Sequence, residues 1–139
     1  MSGIAELLEQ IREQRRTTHI RLSKVTEDQM LAKTQYGERE VEARFMFYRL
    51  IAHQVEHTVH LAKTLHALGI VQGEAEMILK NLQAASGELE GMLIGLNEDD
   101  LDRVPSEEDW PVRRVVEHIL EAEESYGRRI VEAIADKSG

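Results

Sequence analysis

Apolar residues recur every three or four positions along most of the chain, and polar residues fill the positions between them. This spacing places the apolar side chains on one face of an α-helix. It predicts four helices, over about residues 3–23, 38–68, 74–96 and 111–135. Gly69 suits the end of the second helix because glycine readily takes a left-handed conformation. Pro111 suits the first turn of the fourth, where an amide hydrogen is not needed.

The segments between the helices carry residues typical of turns and helix caps. Thr26-Glu27-Asp28-Gln29 predicts a capping box, in which two side chains each accept a hydrogen bond from the other residue's amide. Tyr36-Gly37 predicts a loop. The acidic stretch from Glu98 to Asp109 lacks the ligand order of a calcium loop and is interpreted as capping. No strand-like alternation occurs, so the chain is predicted to be one all-α domain over residues 1–139, a four-helix bundle with its own core.

The chain also contains a faint internal repeat. Residues 22–30, LSKVTEDQM, resemble residues 93–101, LIGLNEDDL, and residues 49–60, RLIAHQVEHTVH, align with residues 114–125, RVVEHILEAEES. The second alignment places His53 on His118, and it requires six more residues between the blocks in the first repeat. Two similar helix pairs predict a bundle with pseudo-two-fold symmetry, in which the second and fourth helices are equivalent.

Composition and charge exclude several classes of function. The 139 residues include 17 basic and 26 acidic side chains, a net charge of −9, and no cysteine. Thiolate metal sites and thiol nucleophiles are therefore excluded, and the net charge disfavours nucleic acid as a partner. No apolar run is long enough to span a membrane and no secretion signal is evident, so a cytoplasmic location is expected. The only basic cluster is short: Arg12, Arg15, Arg16 and Arg21. The run from Arg12 to Arg16 is interpreted as a solvated helix face, with an anion-binding role as the alternative.

Histidines interrupt the apolar face of the second predicted helix. At about 100° per residue, His53, His57 and His60 fall on one stripe, whereas His66 points almost the opposite way. Two imidazoles one helical turn apart can each donate a nitrogen lone pair to the same divalent ion, and His53 and His57 have this spacing. Without a metal, these residues would be hydrogen-bonded core histidines, because an unpaired buried imidazole destabilises the fold.

A third ligand is available on the fourth predicted helix. His118 is equivalent to His53 in the repeat, and it would complete a three-histidine site if the second and fourth helices touch. Such a site leaves a coordination position for water or substrate, as catalytic metal sites do. Glu56 and Glu121 each follow a histidine by three residues. They are therefore candidates to orient a ligand, to replace one, or to act as a base toward metal-bound water.

The fourth helix carries the most specific motif of the chain. Residues 109–126, DWPVRRVVEHILEAEESY, resemble the Trp-x-Val-Arg-x-Val-x-x-His-x-x-x-x-Glu motif of the DinB-like superfamily, which includes damage-inducible and YfiT-like proteins. The matching residues are Trp110, Val112, Arg113, Val115, His118 and Glu123. Residues 50–69 resemble the other ligand helix of that superfamily, and residues 91–105 resemble its leader into the motif. The resemblance thus covers nearly the whole chain.

This resemblance implies a fold, a site and two kinds of chemistry. DinB-like proteins are four-helix bundles, commonly homodimers, in which three histidines surround a divalent metal such as zinc or nickel. Matched residue by residue, the triad is His118 with His53 and His57, or with His57 and His60. Relatives include hydrolases and thiol-dependent transferases or isomerases that use mycothiol or bacillithiol. The hypothesis is a metal-dependent hydrolase or thiol-dependent transferase acting on a small molecule. The alternative is a non-catalytic bundle whose histidines are structural or sense metal.

Overall fold

Four long helices make up most of the computed structural model, which describes residues 3–138. They are α1 (Ile4–Leu22), α2 (Ala43–Ala67), α3 (Glu74–Leu93) and α4 (Val112–Ser138). Short 3₁₀ turns at Gln29–Leu31 and Glu98–Asp102 precede α2 and α4, and a hairpin of β1 (Lys33–Tyr36) and β2 (Arg39–Glu42) leads into α2. The predicted all-α class is confirmed. The chain forms two compact units, Met1–Ile94 and Gly95–Gly139.

Gly69 follows the end of α2, as the sequence predicts. Its φ of 73° lies in the left-handed region. The amide of Gly69 donates a hydrogen bond to the carbonyl of His66 at 3.0 Å, and the amide of Ile70 donates to the carbonyl of Leu65 at 3.1 Å. These two bonds form a Schellman motif, which satisfies carbonyl groups that the end of a helix leaves free.

The main departure from the predicted helix bounds is the β-hairpin, which lies where a loop and the start of α2 are expected. β1 and β2 pair antiparallel with Tyr36 opposite Arg39, so Gly37 and Glu38 form a two-residue turn. Gly37 has a φ of 62°, the positive value that a type II′ turn needs at its first central residue. The expectation that no strand forms was wrong. Both strands are mostly exposed and carry no apolar alternation, so hydrophobic periodicity does not reveal them. α2 accordingly begins at Ala43.

The two halves of the internal repeat have the same local structure at their turns. The amide of Thr26 donates to Gln29 Oε1 at 2.9 Å, and the amide of Gln29 donates to Thr26 Oγ1 at 3.3 Å, which is the predicted capping box. Asn97 and Asp100 form a second box at the aligned positions, with the Asn97 amide donating to Asp100 Oδ2 at 3.0 Å. The second box caps the 3₁₀ turn at Glu98–Asp102, and the first leads into the 3₁₀ turn at Gln29–Leu31; each turn precedes a histidine-bearing helix.

The six extra residues of the first repeat are also accounted for. The connection from the 3₁₀ turn to the helix spans residues 32–42 in the first repeat and residues 103–111 in the second, so the first connection is longer by two residues. The other four residues lengthen the start of α2, which begins ten residues before His53, whereas α4 begins six residues before His118. The hairpin connection and the first turn of α2 thus absorb the difference in length.

The apolar faces of the helices are only partly covered. Within residues 3–137 no side chain is buried, so the core expected from the sequence is not seen in this part of the chain. Ile78 and Leu82 of α3 are 58% and 43% exposed, and Ile130 and Ile134 of α4 are 59% and 60% exposed. Both units therefore present apolar surface to their surroundings. Among the described residues, no helix has the length and apolar character needed to cross a membrane.

Candidate functional site

Three histidines of α2 form a row along one side of the helix. The ring centroids of His53 and His57 are 4.4 Å apart, with the ring planes at 61°, and those of His57 and His60 are 5.7 Å apart. The stripe expected from the helical spacing is therefore present, with His57 as its middle member. All three residues are exposed, as is His66 at the end of α2. In this structure they are surface residues of the Met1–Ile94 unit and not core histidines.

The donor set of this row suits a divalent metal such as zinc or nickel, which imidazole nitrogen binds well. When one nitrogen of each ring lies about 2.1 Å from a shared tetrahedral ion, the two ring centroids are about 5.3 Å apart. The rings of His53 and His57, 4.4 Å apart, lie within this distance, whereas those of His57 and His60, 5.7 Å apart, lie slightly beyond it. His53 and His57 are the closer pair, and their spacing of four residues stacks them on consecutive turns of α2.

A histidine pair by itself is a partial metal site. Among the described residues, no three His, Cys, Asp or Glu side chains are grouped so that they could hold an ion. His53 and His57 belong to the Met1–Ile94 unit, and His118 belongs to the Gly95–Gly139 unit. Two imidazoles leave at least two positions of a tetrahedral shell for other ligands. The pair alone therefore leaves the coordination shell of such an ion incomplete.

The two candidate glutamates have different surroundings. Glu56 is exposed on α2, one turn after His53, and within residues 3–138 its carboxylate has no hydrogen-bond or ion-pair partner. Glu121, on α4, accepts hydrogen bonds from Nη1 of Arg114 at 3.4 Å and 3.3 Å. Glu121 is thus engaged by a guanidinium, whereas the carboxylate of Glu56 is available to a ligand or to a histidine N–H.

His118 lies in a cluster built by the first turns of α4. The ring of Trp110 meets the ring of His118 edge-on, with the centroids 5.2 Å apart. The guanidinium of Arg114 lies 5.0 Å from the centroid of the same indole, within cation–π range, and also pairs with Glu121. Sequence reasoning missed the role of Arg114. Its spacing of four residues from both Trp110 and His118 is the signal that would have revealed it.

Arg113, in the first turn of α4, forms an ion pair with the second 3₁₀ turn. Its Nε and Nη2 donate to the two carboxylate oxygens of Asp102 at 2.9 Å and 3.2 Å, a bidentate pair that links the second 3₁₀ turn to α4. The hydrogen bond from Arg113 lowers the pKa of Asp102, and the same bond raises the pKa of Arg113. The pair positions the segment that carries Trp110 and His118.

A cavity of about 370 Å³ opens beside this cluster in the Gly95–Gly139 unit. Its apolar wall consists of Trp110, Val104 and Val115. Arg103 and Asp100, which form an ion pair at 3.1 Å, also line it. Its volume is at the low end of that of small-molecule sites. Because Trp110 both lines the cavity and contacts His118, a molecule bound there would lie one side chain away from the imidazole.

Comparison with known proteins found no family model, no curated protein and no solved structure that matches this chain. We therefore describe the class of this protein from the elements and side chains of the structure alone. It is an all-α protein with an exposed histidine pair on α2 and a Trp–His–Arg cluster on α4.

Proposed function

We propose that the chain is a DinB-like metal-binding protein, in which His53, His57 and His118 hold a divalent ion, zinc or nickel. The observation that carries the proposal is the proximity of the rings of His53 and His57, 4.4 Å apart on one side of α2. Their exposure supports it, because neither ring is enclosed by other side chains. The motif around His118 supports the third ligand by its resemblance to the family.

The proposed activity is metal-dependent hydrolysis, or thiol-dependent group transfer, on a small molecule. A bound divalent ion would supply Lewis-acid activation of a water or a thiol. Of the two carboxylates, Glu56 is the better candidate to accept the proton, because Glu121 is already engaged by Arg114. Trp110 and Val115 would contact an apolar part of the substrate in the cavity beside His118.

Metal binding is tested by titrating zinc and nickel into protein that carries no polyhistidine tag. We expect uptake of one ion per chain. His57→Ala should weaken binding by more than about tenfold, since even the outer partners of metal ligands change affinity by about that much. His66→Ala is the matched control, because His66 lies on the same helix away from the row. No uptake, or equal binding by the His57→Ala protein, would reject the site.

The third ligand is tested through Trp110, the only tryptophan of the chain. Its ring centroid lies 5.2 Å from that of His118, so a paramagnetic nickel ion bound by His118 is expected to quench its fluorescence. We expect the quenching to disappear in both His118→Ala and His57→Ala. Quenching that needs His118 but not His57 would mean that the two histidines bind separate ions, and the proposed triad would be wrong.

Catalysis is tested separately from binding. Low-molecular-weight thiols with electrophilic acceptors, together with ester and amide substrates, are assayed with and without the bound ion. Metal-dependent turnover that is lost in His118→Ala supports an enzyme. The alternative function, a non-catalytic protein that senses metal, is favoured if the ion binds and no substrate is turned over.

We further propose that the protein works in the cytoplasm as a homodimer. The exposed apolar residues of α4, such as Ile130 and Ile134, support an association that covers them. Fully burying one exposed isoleucine is worth about 1.5–3 kcal/mol, so covering several of these side chains would contribute toward offsetting the entropy lost on association. Sedimentation equilibrium should give a dimer that Ile130→Glu converts to monomer. A monomeric wild-type protein at micromolar concentration would contradict the dimer.

A further inference from the structure

A second concave site lies in the Met1–Ile94 unit, between the second half of α1 and the second half of α3. We name it the α1–α3 groove. Its volume is about 840 Å³, which is the size of a small-molecule site. Arg12, Arg15 and Arg16 line it from α1, and Gln54 reaches it from α2. Because Arg15 and Arg16 follow Arg12 by three and four positions, the three arginines share one side of α1.

The three arginines differ in how their charge is balanced. Arg12 lies 3.9 Å from Glu9, and Arg16 pairs with Glu13, so both have a carboxylate on their own helix. Arg15 instead donates from Nη2 to Oε1 of Gln54 at 2.8 Å. Among the described residues Arg15 has no carboxylate partner. A neutral amide therefore holds this guanidinium in place without neutralising it, and its charge remains directed at the groove.

The opposite wall of the groove leaves room for an occupant. Gly87 and Gly91 lie one helical turn apart on α3, and a Cβ atom at either position would meet nothing within 4 Å. Glu90 is the one acidic residue among the lining residues, against three arginines. The groove is therefore open, and Arg15 is the one lining arginine whose charge no carboxylate pairs with among the described residues.

We propose that the α1–α3 groove binds a small organic polyanion with at least two carboxylate or phosphate groups, and that Arg15 is its central contact. A guanidinium offers two parallel N–H donors to one carboxylate or phosphate, and the bond to Gln54 reduces the freedom that Arg15 loses on binding. A small ligand in the groove interacts mainly with the nearby arginines, because salt screens charges that lie beyond about 8–10 Å. A long polyanion would also meet the acidic remainder of the surface. This proposal does not depend on the metal site.

The test is calorimetric titration of the full chain with pyrophosphate and with citrate, using acetate at equal ionic strength as the monovalent control. Arg15→Gln should weaken binding by about tenfold or more, because it removes a charge-assisted hydrogen bond. Gly91→Leu should have a similar effect by filling the groove. The leucine variant keeps the test valid, since leucine favours a helix more than glycine does. Arg21→Gln, which removes a charge of α1 outside the groove, should leave the affinity within about twofold.

Each outcome decides the proposal. Binding of pyrophosphate or citrate that depends on Arg15 and on the space at Gly91 supports it, and the tighter of the two identifies a phosphate or a polycarboxylate ligand. Failure of both probes to bind at about 10 mM, an affinity too weak for a built site, would overturn it. Binding that Arg21→Gln weakens as much as Arg15→Gln would also overturn it, because the effect would then come from the charge of α1 in general.

Discussion

Replacing Gly69 with alanine tests how α2, the helix of the histidine row, is ended. Gly69 has a φ of 73°, and a Cβ atom there would meet nothing within 4 Å. The substitution therefore adds no clash, and its effect comes from the backbone. A left-handed conformation costs an L-residue about 1–2 kcal/mol. The unfolded state of the Gly69→Ala variant has lower conformational entropy, and this offsets about 0.4–1 kcal/mol of that cost. We expect a net loss of about 1 kcal/mol in the free energy of unfolding.

The matched control is Gly87→Ala. Gly87 lies inside α3 in the same unit, its φ is not positive, and a Cβ atom there also meets nothing within 4 Å. Alanine in a helix interior is favoured over glycine by about 0.5–1 kcal/mol, so this variant should be more stable than the wild type. The same glycine-to-alanine change is thus expected to lower the free energy of unfolding at position 69 and to raise it at position 87. The two variants should differ in this free energy by about 1.5–2 kcal/mol.

Urea unfolding followed by the helical circular dichroism signal measures both variants. Trp110 fluorescence does not replace this signal, because the only tryptophan lies in the Gly95–Gly139 unit whereas both glycines lie in the other. If Gly69→Ala and Gly87→Ala shift the unfolding midpoint in the same direction, the two glycines do not differ in backbone conformation. The Schellman motif at the end of α2 would then be refuted.

Two further predictions concern stability. Thr26→Ala and Asn97→Ala each remove half of a capping box, and each should lower the free energy of unfolding by about 1 kcal/mol in urea; an unchanged midpoint in both would contradict the aligned boxes. Arg113 holds the pKa of Asp102 below its usual range. The stability from this pair is therefore complete above about pH 4 and is lost as the pH falls through the lowered pKa of the folded state. Arg113→Gln should remove this part of the acid sensitivity, and an unchanged pH dependence of the unfolding midpoint would refute the link.

The local features of the fold could be predicted from the sequence because each depends on residues within about one helical turn. The Thr26 capping box, the end of α2 at Gly69 and the histidine row around His57 all follow from spacings of three or four residues. The hairpin could not be found from hydrophobic alternation, because its exposed strands bury neither face. Gly37 and the β-branched and aromatic residues around it were the available signals.

The sequence by itself determined the four helices, the turns at Thr26 and Gly69, and the row of imidazoles on α2, since backbone hydrogen bonding and helical periodicity act along the chain. Only the tertiary structure decided which polar and charged groups meet, such as Arg15 with the neutral amide of Gln54, and Arg113 with Asp102. It also decided that the apolar stripes remain partly exposed. The physical reason is that a helix pattern specifies which side chains share a face. Contacts between elements distant in sequence depend on where the connecting turns carry those faces.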